Sequence, residues 1–152
     1  SDLGEYEKAI SSYDQAIKIK PDYHKAWSNR GVALSDLGEY EKAISSYDQA
    51  IKIKPDYHKA WSNRGVALSD LGEYEKAISS YDQAIKIKPD YHKAWSNRGV
   101  ALSDLGEYEK AISSYDQAIK FKPDLHEAWH NRGNALSDLG EYEKAISSYD
   151  QA

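Results

Sequence analysis

The sequence predicts an all-α protein built from stacked pairs of antiparallel helices, and three observations carry that prediction. The first is repetition: Trp27, Trp61, Trp95 and Trp129 recur at a 34-residue interval, as do Pro21, Pro55, Pro89 and Pro123 and the series Gly4, Gly38, Gly72, Gly106 and Gly140. A fixed period of this length marks an array of supersecondary units. The second is that each unit contains two stretches of helical apolar spacing, parted by a glycine and closed by a proline. The third is composition: 40% apolar and 30% charged residues are enough for a packed core and unlike a disordered chain.

Within one unit, helix A is predicted from about Tyr57 to Asp70. Trp61, Gly65 and Leu68 fall at i, i+4 and i+7, on one helical face. Asp56 is placed to cap its start and to oppose the helix dipole. Gly72 ends it, because glycine takes up the left-handed conformation that closes a helix. Helix B follows from about Tyr74 to Ile87, with Ala77, Ile78, Tyr81, Ala84 and Ile85 on one face. Glu73 and Glu75 lie at its positive end and Lys86 and Lys88 at its negative end. Asp82 and Lys86 are spaced for an i, i+4 ion pair. Pro89 stops the helix, since it has no N–H to donate and its ring clashes with the preceding turn. Gly65 and Ala77 leave room for close helix approach, and Trp61, Leu68, Tyr74 and Tyr81 fill the space around it. A single pair cannot cover both of its faces, so neighbouring pairs must stack.

The string formed by Trp61, Gly65, Leu68, Gly72, Tyr74, Ala77, Ile78, Tyr81, Ala84, Ile85 and Pro89 resembles the tetratricopeptide repeat, and the resemblance covers the whole chain. It implies a right-handed superhelical α-solenoid, with the A helices lining a concave groove and the B helices outside. On this reading residues 1–152 form a single array: an unpaired helix B over 4–20, repeats over 24–57, 58–91 and 92–125, and a truncated repeat over 126–152. One departure is systematic. Arg30, Arg64, Arg98 and Arg132 stand where the family usually has leucine, and each is expected to pack its stem and send its head to an acid or to water.

Several function classes are set aside by what the chain contains. It has no cysteine, hence no disulfide, thiolate nucleophile or thiolate metal site. It has no run of the roughly 18 apolar residues a membrane span needs, and no visible secretory signal. A cytoplasmic location is the expectation. Net charge is -5, with lysines and acids interleaved throughout, so no basic face for nucleic acid is expected. The glycines occur singly and the serines lack an adjacent histidine, so neither a phosphate loop nor a nucleophile triad is present. The chain is expected to be no enzyme and to need no cofactor.

The expected function is that of a protein–protein interaction scaffold holding an extended peptide in the groove. The family geometry points Lys25, Ser28, Asn29, Val32 and Ser35, with their 34-residue equivalents, into that groove. Asn29, Asn63, Asn97 and Asn131 then form a ladder of amides able to pair with a peptide backbone. A similar ladder marks the repeats of O-linked N-acetylglucosamine transferases, although nothing here resembles their catalytic domain. Lys25, Lys59 and Lys93 add positive charge. The lysine, asparagine and arginine clamp of chaperone-binding family members is matched only in part, because Ser28 and Val32 occupy two of its positions. The last helix A differs from its predecessors: Glu127, His130 and Asn134 replace a lysine, a serine and a valine, forming one stripe expected to set specificity, while Phe121 and Leu125 differ nearby. The alternative function is structural, with copies associating head to tail through uncapped repeat faces.

His126, Glu127 and His130 spell H-E-x-x-H, the helix-borne motif of zinc metalloproteases. Its histidine at 126 merely repeats His24, His58 and His92, Trp129 is the core tryptophan of the repeat, and only carboxylates such as Glu141 follow as a third ligand. The expectation is no metal site, with adventitious binding by His126 and His130 at most.

Overall fold

A computed structural model describes residues 2–152. Among them every regular element is an α-helix: α1 (Asp2–Ile19), α2 (His24–Asp36), α3 (Tyr40–Ile53), α4 (His58–Asp70), α5 (Tyr74–Ile87), α6 (His92–Asp104), α7 (Tyr108–Phe121), α8 (His126–Asp138) and α9 (Tyr142–Gln151). The even-numbered helices are the predicted A helices and the odd-numbered ones the B helices. The chain divides into two compact units, one ending at Glu73 and the other comprising Tyr74–Ala152. In the first, α2 packs on α1, α3 and α4, and α3 also packs on α4. In the second, α5 packs on α6, the pair α6 and α7 continues into the pair α8 and α9, and α6 touches α8. Connections of a few residues make successive helices antiparallel.

The predicted stop signals operate as local chemistry requires. Gly38 has φ 79°, a left-handed conformation that costs glycine nothing. Its N–H bonds the Ser35 carbonyl, and that of Glu39 bonds the Leu34 carbonyl, both at 2.9 Å, so the last carbonyls of α2 are satisfied. The same string around Gly4 stays helical inside α1, and Gly4 is not among the glycines with positive φ. The unpaired helix expected over 4–20 is accordingly displaced to Asp2–Ile19.

The predicted cap at the start of helix A is not made. No side chain caps α4; the Asp56 carboxylate instead pairs with Lys54 at 3.2 Å. The first turn is served by the backbone, with the Ala60 and Trp61 N–H groups both reaching the Tyr57 carbonyl. Each tryptophan holds this corner down: the indole N–H of Trp27 donates to the Pro21 carbonyl at 3.0 Å, and that of Trp129 to Pro123 at 2.9 Å. The recurrent Trp–Pro spacing is therefore a hydrogen-bonded brace between the turn and helix A.

Helices A and B of a pair approach through glycine, but the partner is an aromatic ring and not the small residue expected. A Cβ added at Gly31 would lie 2.6 Å from Cε1 of Tyr47, and one at Gly99 would lie 2.5 Å from Cε1 of Tyr115. Tyr47 and Tyr115 are each only 1% exposed, so neither ring has room to retreat. Burial pushes both phenols up to about 12. Leu34, Ala43 and Ala67 complete the core of the first unit around Tyr47, with Ile10, Tyr40 and Ile44 against it. In the second unit Leu102, Ala111, Ala118, Ala128 and Ala135 surround Tyr115.

The arginines that replace the family leucine link three consecutive helices. Arg30 donates through Nε to Asp14 of α1 at 2.6 Å and through Nη1 to Ser46 of α3 at 2.7 Å. Arg98 does the same to Asp82 of α5 at 2.7 Å and to Ser114 of α7 at 2.7 Å. Arg132 reaches Asp116 and Ser148. Asp82 is thus engaged with Arg98 and not with Lys86, the partner its spacing suggested. The carboxylate is half exposed, so the ion pair contributes at most about 1 kcal/mol. The buried Ser114 hydroxyl matters more, since the guanidinium is the donor that spares it an unsatisfied position.

Candidate peptide-binding face

Asn29, Asn63, Asn97 and Asn131 lie on α2, α4, α6 and α8, at the same position of each helix. Asn29 is exposed, whereas Asn63, Asn97 and Asn131 are half-buried. None of these four amides is used in a hydrogen bond among the described residues. In the first unit Asn29 lines a cleft of about 200 Å³ with Tyr6, Tyr13, Val32 and Asp36. Asn63 lines another of about 160 Å³ with Val32, Ser35, Tyr47 and Val66. In the second unit Asn97 lines a larger cleft of about 330 Å³, whose walls are His92, Lys93 and Ser96 of α6 together with Lys122, Leu125 and Glu127. Lys25, Lys59 and Lys93 are exposed at the starts of their helices.

Ser28 does not belong to this face. It is 3% exposed and Ser62 2%, so the expectation that these serines line a groove is corrected: a small hydroxyl is tolerated between packed helices where a longer polar side chain is not. Asn29 and Val32, by contrast, remain exposed.

The stripe of Glu127, His130 and Asn134 divides. Glu127 faces the cleft with α6. His130 and Asn134 gather instead at Tyr149 of α9: the rings of His130 and Tyr149 lie 5.6 Å apart, and the Tyr149 hydroxyl donates to Asn134 Oδ1 at 2.7 Å. In the preceding repeat the equivalent Tyr115 hydroxyl lies 3.4 Å from Ser103, so Asn134 redirects this hydroxyl. His126 and His130 are both exposed, and no group of three or more potential ligands is gathered for a metal among the described residues.

Sequence reasoning missed His92, Lys122 and Leu125 as lining residues. At the corresponding place in the first unit, Tyr57 packs edge-on against His24, with ring centroids 5.1 Å apart. Leu125 stands in the position of Tyr57, so His92 has no ring from the following repeat against it; its chain neighbour Tyr91 lies farther off, at 6.5 Å. Ser96, below the opening, is 9% exposed against 3% at Ser28. Burial first, then the Lys122 and Lys93 charges, hold the His92 imidazole below the ordinary histidine value. The lysines of the Lys-Pro-Asp turns differ in their partners, and Lys20 makes no ion pair among the described residues. Lys54 and Lys88 pair with Asp56 and Asp90 at 3.2 and 3.5 Å, while Lys122 makes no ion pair among the described residues.

Comparison with known proteins bears on this geometry. A family profile described as "Tetratricopeptide repeat" matches residues 24–57 and 58–91, and one described as "TPR repeat" matches 2–38 and 101–140. The chain belongs to the tetratricopeptide repeat family. A further tetratricopeptide profile covers residues 80–113. No curated protein sequence matches significantly. Among solved structures, the chain is similar to MamA, at 25% identity over 97% of this chain and 86% of that one, with a TM-score of 0.91. It resembles YrrB, described as "a TPR protein with an unusual peptide-binding site", at 20% identity over 99% and 78% of the two chains and a TM-score of 0.80. It also resembles the first tetratricopeptide domain of Spaghetti (RPAP3) bound to an HSP90 peptide, at 25% identity, 77% and 93% coverage and a TM-score of 0.75. The fold is thus that of tetratricopeptide proteins, and among the described residues no helix is long and apolar enough to cross a membrane.

Proposed function

We propose that this chain is a protein-interaction scaffold that holds an extended peptide against the faces of its A helices. The observation that carries the reading is the set of amides at Asn29, Asn63, Asn97 and Asn131, repeated at one helical position and left without hydrogen-bond partners among the described residues. A primary amide offers two donors and an acceptor, which is what the unpaired N–H and C=O groups of an extended peptide require. A peptide so held needs no particular side chain at most positions, and the exposed Lys25, Lys59 and Lys93 supply positive charge beside it. Two proteins of similar fold support the reading: YrrB is described as having a peptide-binding site, and the RPAP3 domain is bound to a peptide. Catalysis has no comparable support: the enzyme-like motif His126 to His130 lies on an exposed helix start, and no third ligand is gathered beside it among the described residues. The test is isothermal titration of a selected peptide ligand against wild type and the Asn29→Ala/Asn63→Ala variant, both positions lying in the first unit. Loss of two sets of hydrogen bonds in a partly desolvated cleft weakens binding by about 1–3 kcal/mol. Equal affinity for the two proteins overturns the ladder.

A further inference from the structure

The second unit carries a cleft that the repeat pattern does not call for. It lies between the starts of α6 and α8, has a volume of about 330 Å³, and is lined by His92, Lys93, Asn97, Lys122 and Glu127. Its size falls at the lower end of natural ligand sites, enough for side chains of a peptide and small for a cofactor. Two substitutions relative to the first unit define it. Leu125 in place of Tyr57 removes the ring that packs on the histidine, and Glu127 in place of Lys59 puts an acid among cations. Lys93, Lys122 and Glu127 make no ion pair with the protein among the described residues, although Lys122 is half-buried. Charges that line one cleft without neutralising each other through contact are available to a ligand.

We infer that this cleft recognises a pair of adjacent, oppositely charged side chains on the bound peptide. Lys93 and Lys122 take the acidic side chain, Asn97 donates to its neighbouring backbone carbonyl, and Glu127 takes the basic side chain. A carboxylate between two ammonium groups forms charge-assisted hydrogen bonds, which are shorter and stronger than neutral ones. Glu127 also works by exclusion: a second acid in the ligand would face it unpaired, whereas Lys at this position would welcome one. This inference rests on the peptide-scaffold reading and assigns the chemistry of the ligand that the scaffold takes.

The experiment uses the full chain and an array of short immobilised peptides in which Asp, Lys and Ala are permuted at adjacent positions. Two variants, Glu127→Lys and Leu125→Tyr, each install the residue that earlier repeats already carry, so neither threatens the fold; circular dichroism checks this. Wild type is expected to favour peptides with an adjacent acid and base. Glu127→Lys is expected to shift preference by about tenfold toward peptides with two acids, the size of one charge-assisted contact. Leu125→Tyr, by closing the cleft, is expected to flatten the preference while binding through the amides persists. If wild type and Glu127→Lys select the same peptides, the cleft is not the selector and the inference fails while the scaffold reading stands. If wild type binds no peptide of any composition, both fail.

Discussion

The α2–α4 junction of the first unit and the α6–α8 junction of the second begin from almost the same sequence and end with different surfaces. In the first, Tyr57 lies edge-on to His24, and the second residue of each helix is a lysine, Lys25 and Lys59. In the second, Leu125 sets no ring against His92, and Glu127 lines one cleft together with Lys93 and Lys122. The interiors beneath them do not differ: Gly31 against Tyr47 and Gly99 against Tyr115 are the same contact, as are the bridges made by Arg30 and Arg98. The lesson is that an array of near-identical repeats can change what it presents by substitutions at helix starts, even where one of them, Leu125, also packs against the core.

The largest expected effect tests the half of that comparison that claims sameness. Gly31→Ala and Gly99→Ala each place a methyl within 3 Å of a buried tyrosine ring. Overpacking costs about 1–3 kcal/mol, and the gain in helix propensity offsets no more than about 1 kcal/mol of it. Urea denaturation should find both variants destabilised by similar amounts; a large difference between them would show that the two interiors are not equivalent. Next in size is Arg98→Leu, which restores the residue usual in the family. It removes the ion pair to Asp82 and strands the hydroxyl of Ser114, and the second loss governs the outcome at about 1–2 kcal/mol. The double variant Arg98→Leu/Ser114→Ala should recover most of that loss, and no recovery would mean that the serine contact carries no weight.

The smallest effect addresses the surfaces themselves. Leu125→Tyr should add an edge-on contact to His92 of the kind His24 has, worth about 0.5–1 kcal/mol in thermal denaturation. An NMR titration of wild type should place His92 below the ordinary histidine value, and Lys122→Ala should move it back upward by removing the cation that acts on it most strongly. The linkage has a definite sign. A histidine whose folded value is depressed binds protons more readily when unfolded, so its contribution to stability is intact above the ordinary histidine value and erodes as pH falls through the window below it. An unchanged His92 value in Lys122→Ala would remove Lys122 from the cleft.

Much of the fold was legible because its signals are local. Helix B from Tyr74 to Ile87 is bounded by Gly72 and Pro89, and the structure places it at those residues. Helix A was legible at its glycine end and less so at its start, where Asp56 has the chemistry of a cap but is drawn off by Lys54. The arginine bridges were half legible. An acid partner was expected, but Asp82 also lies one helical turn from Lys86, and nothing in the sequence ranks that neighbour against an arginine 16 residues away. Ser28 misled because the family geometry pointed it into the groove, whereas its small hydroxyl fits between packed helices. The cleft was visible only as the substitutions at Leu125 and Glu127; that one removes a ring from beside His92 and the other lines a cleft with Lys93 and Lys122 depends on which helix starts lie side by side.

The arginine bridges also bear on how the chain reaches its native state. Arg30 meets Asp14 and Ser46, each 16 residues away along the chain, and Arg98 and Arg132 repeat the arrangement. Every such tie closes a short loop, at a low entropic cost that grows only slowly with length. Chains rich in contacts of this range fold fast, because no distant segment has to be found before a contact is rewarded. A further repeat, with its own arginine, would lengthen the molecule without lengthening any search.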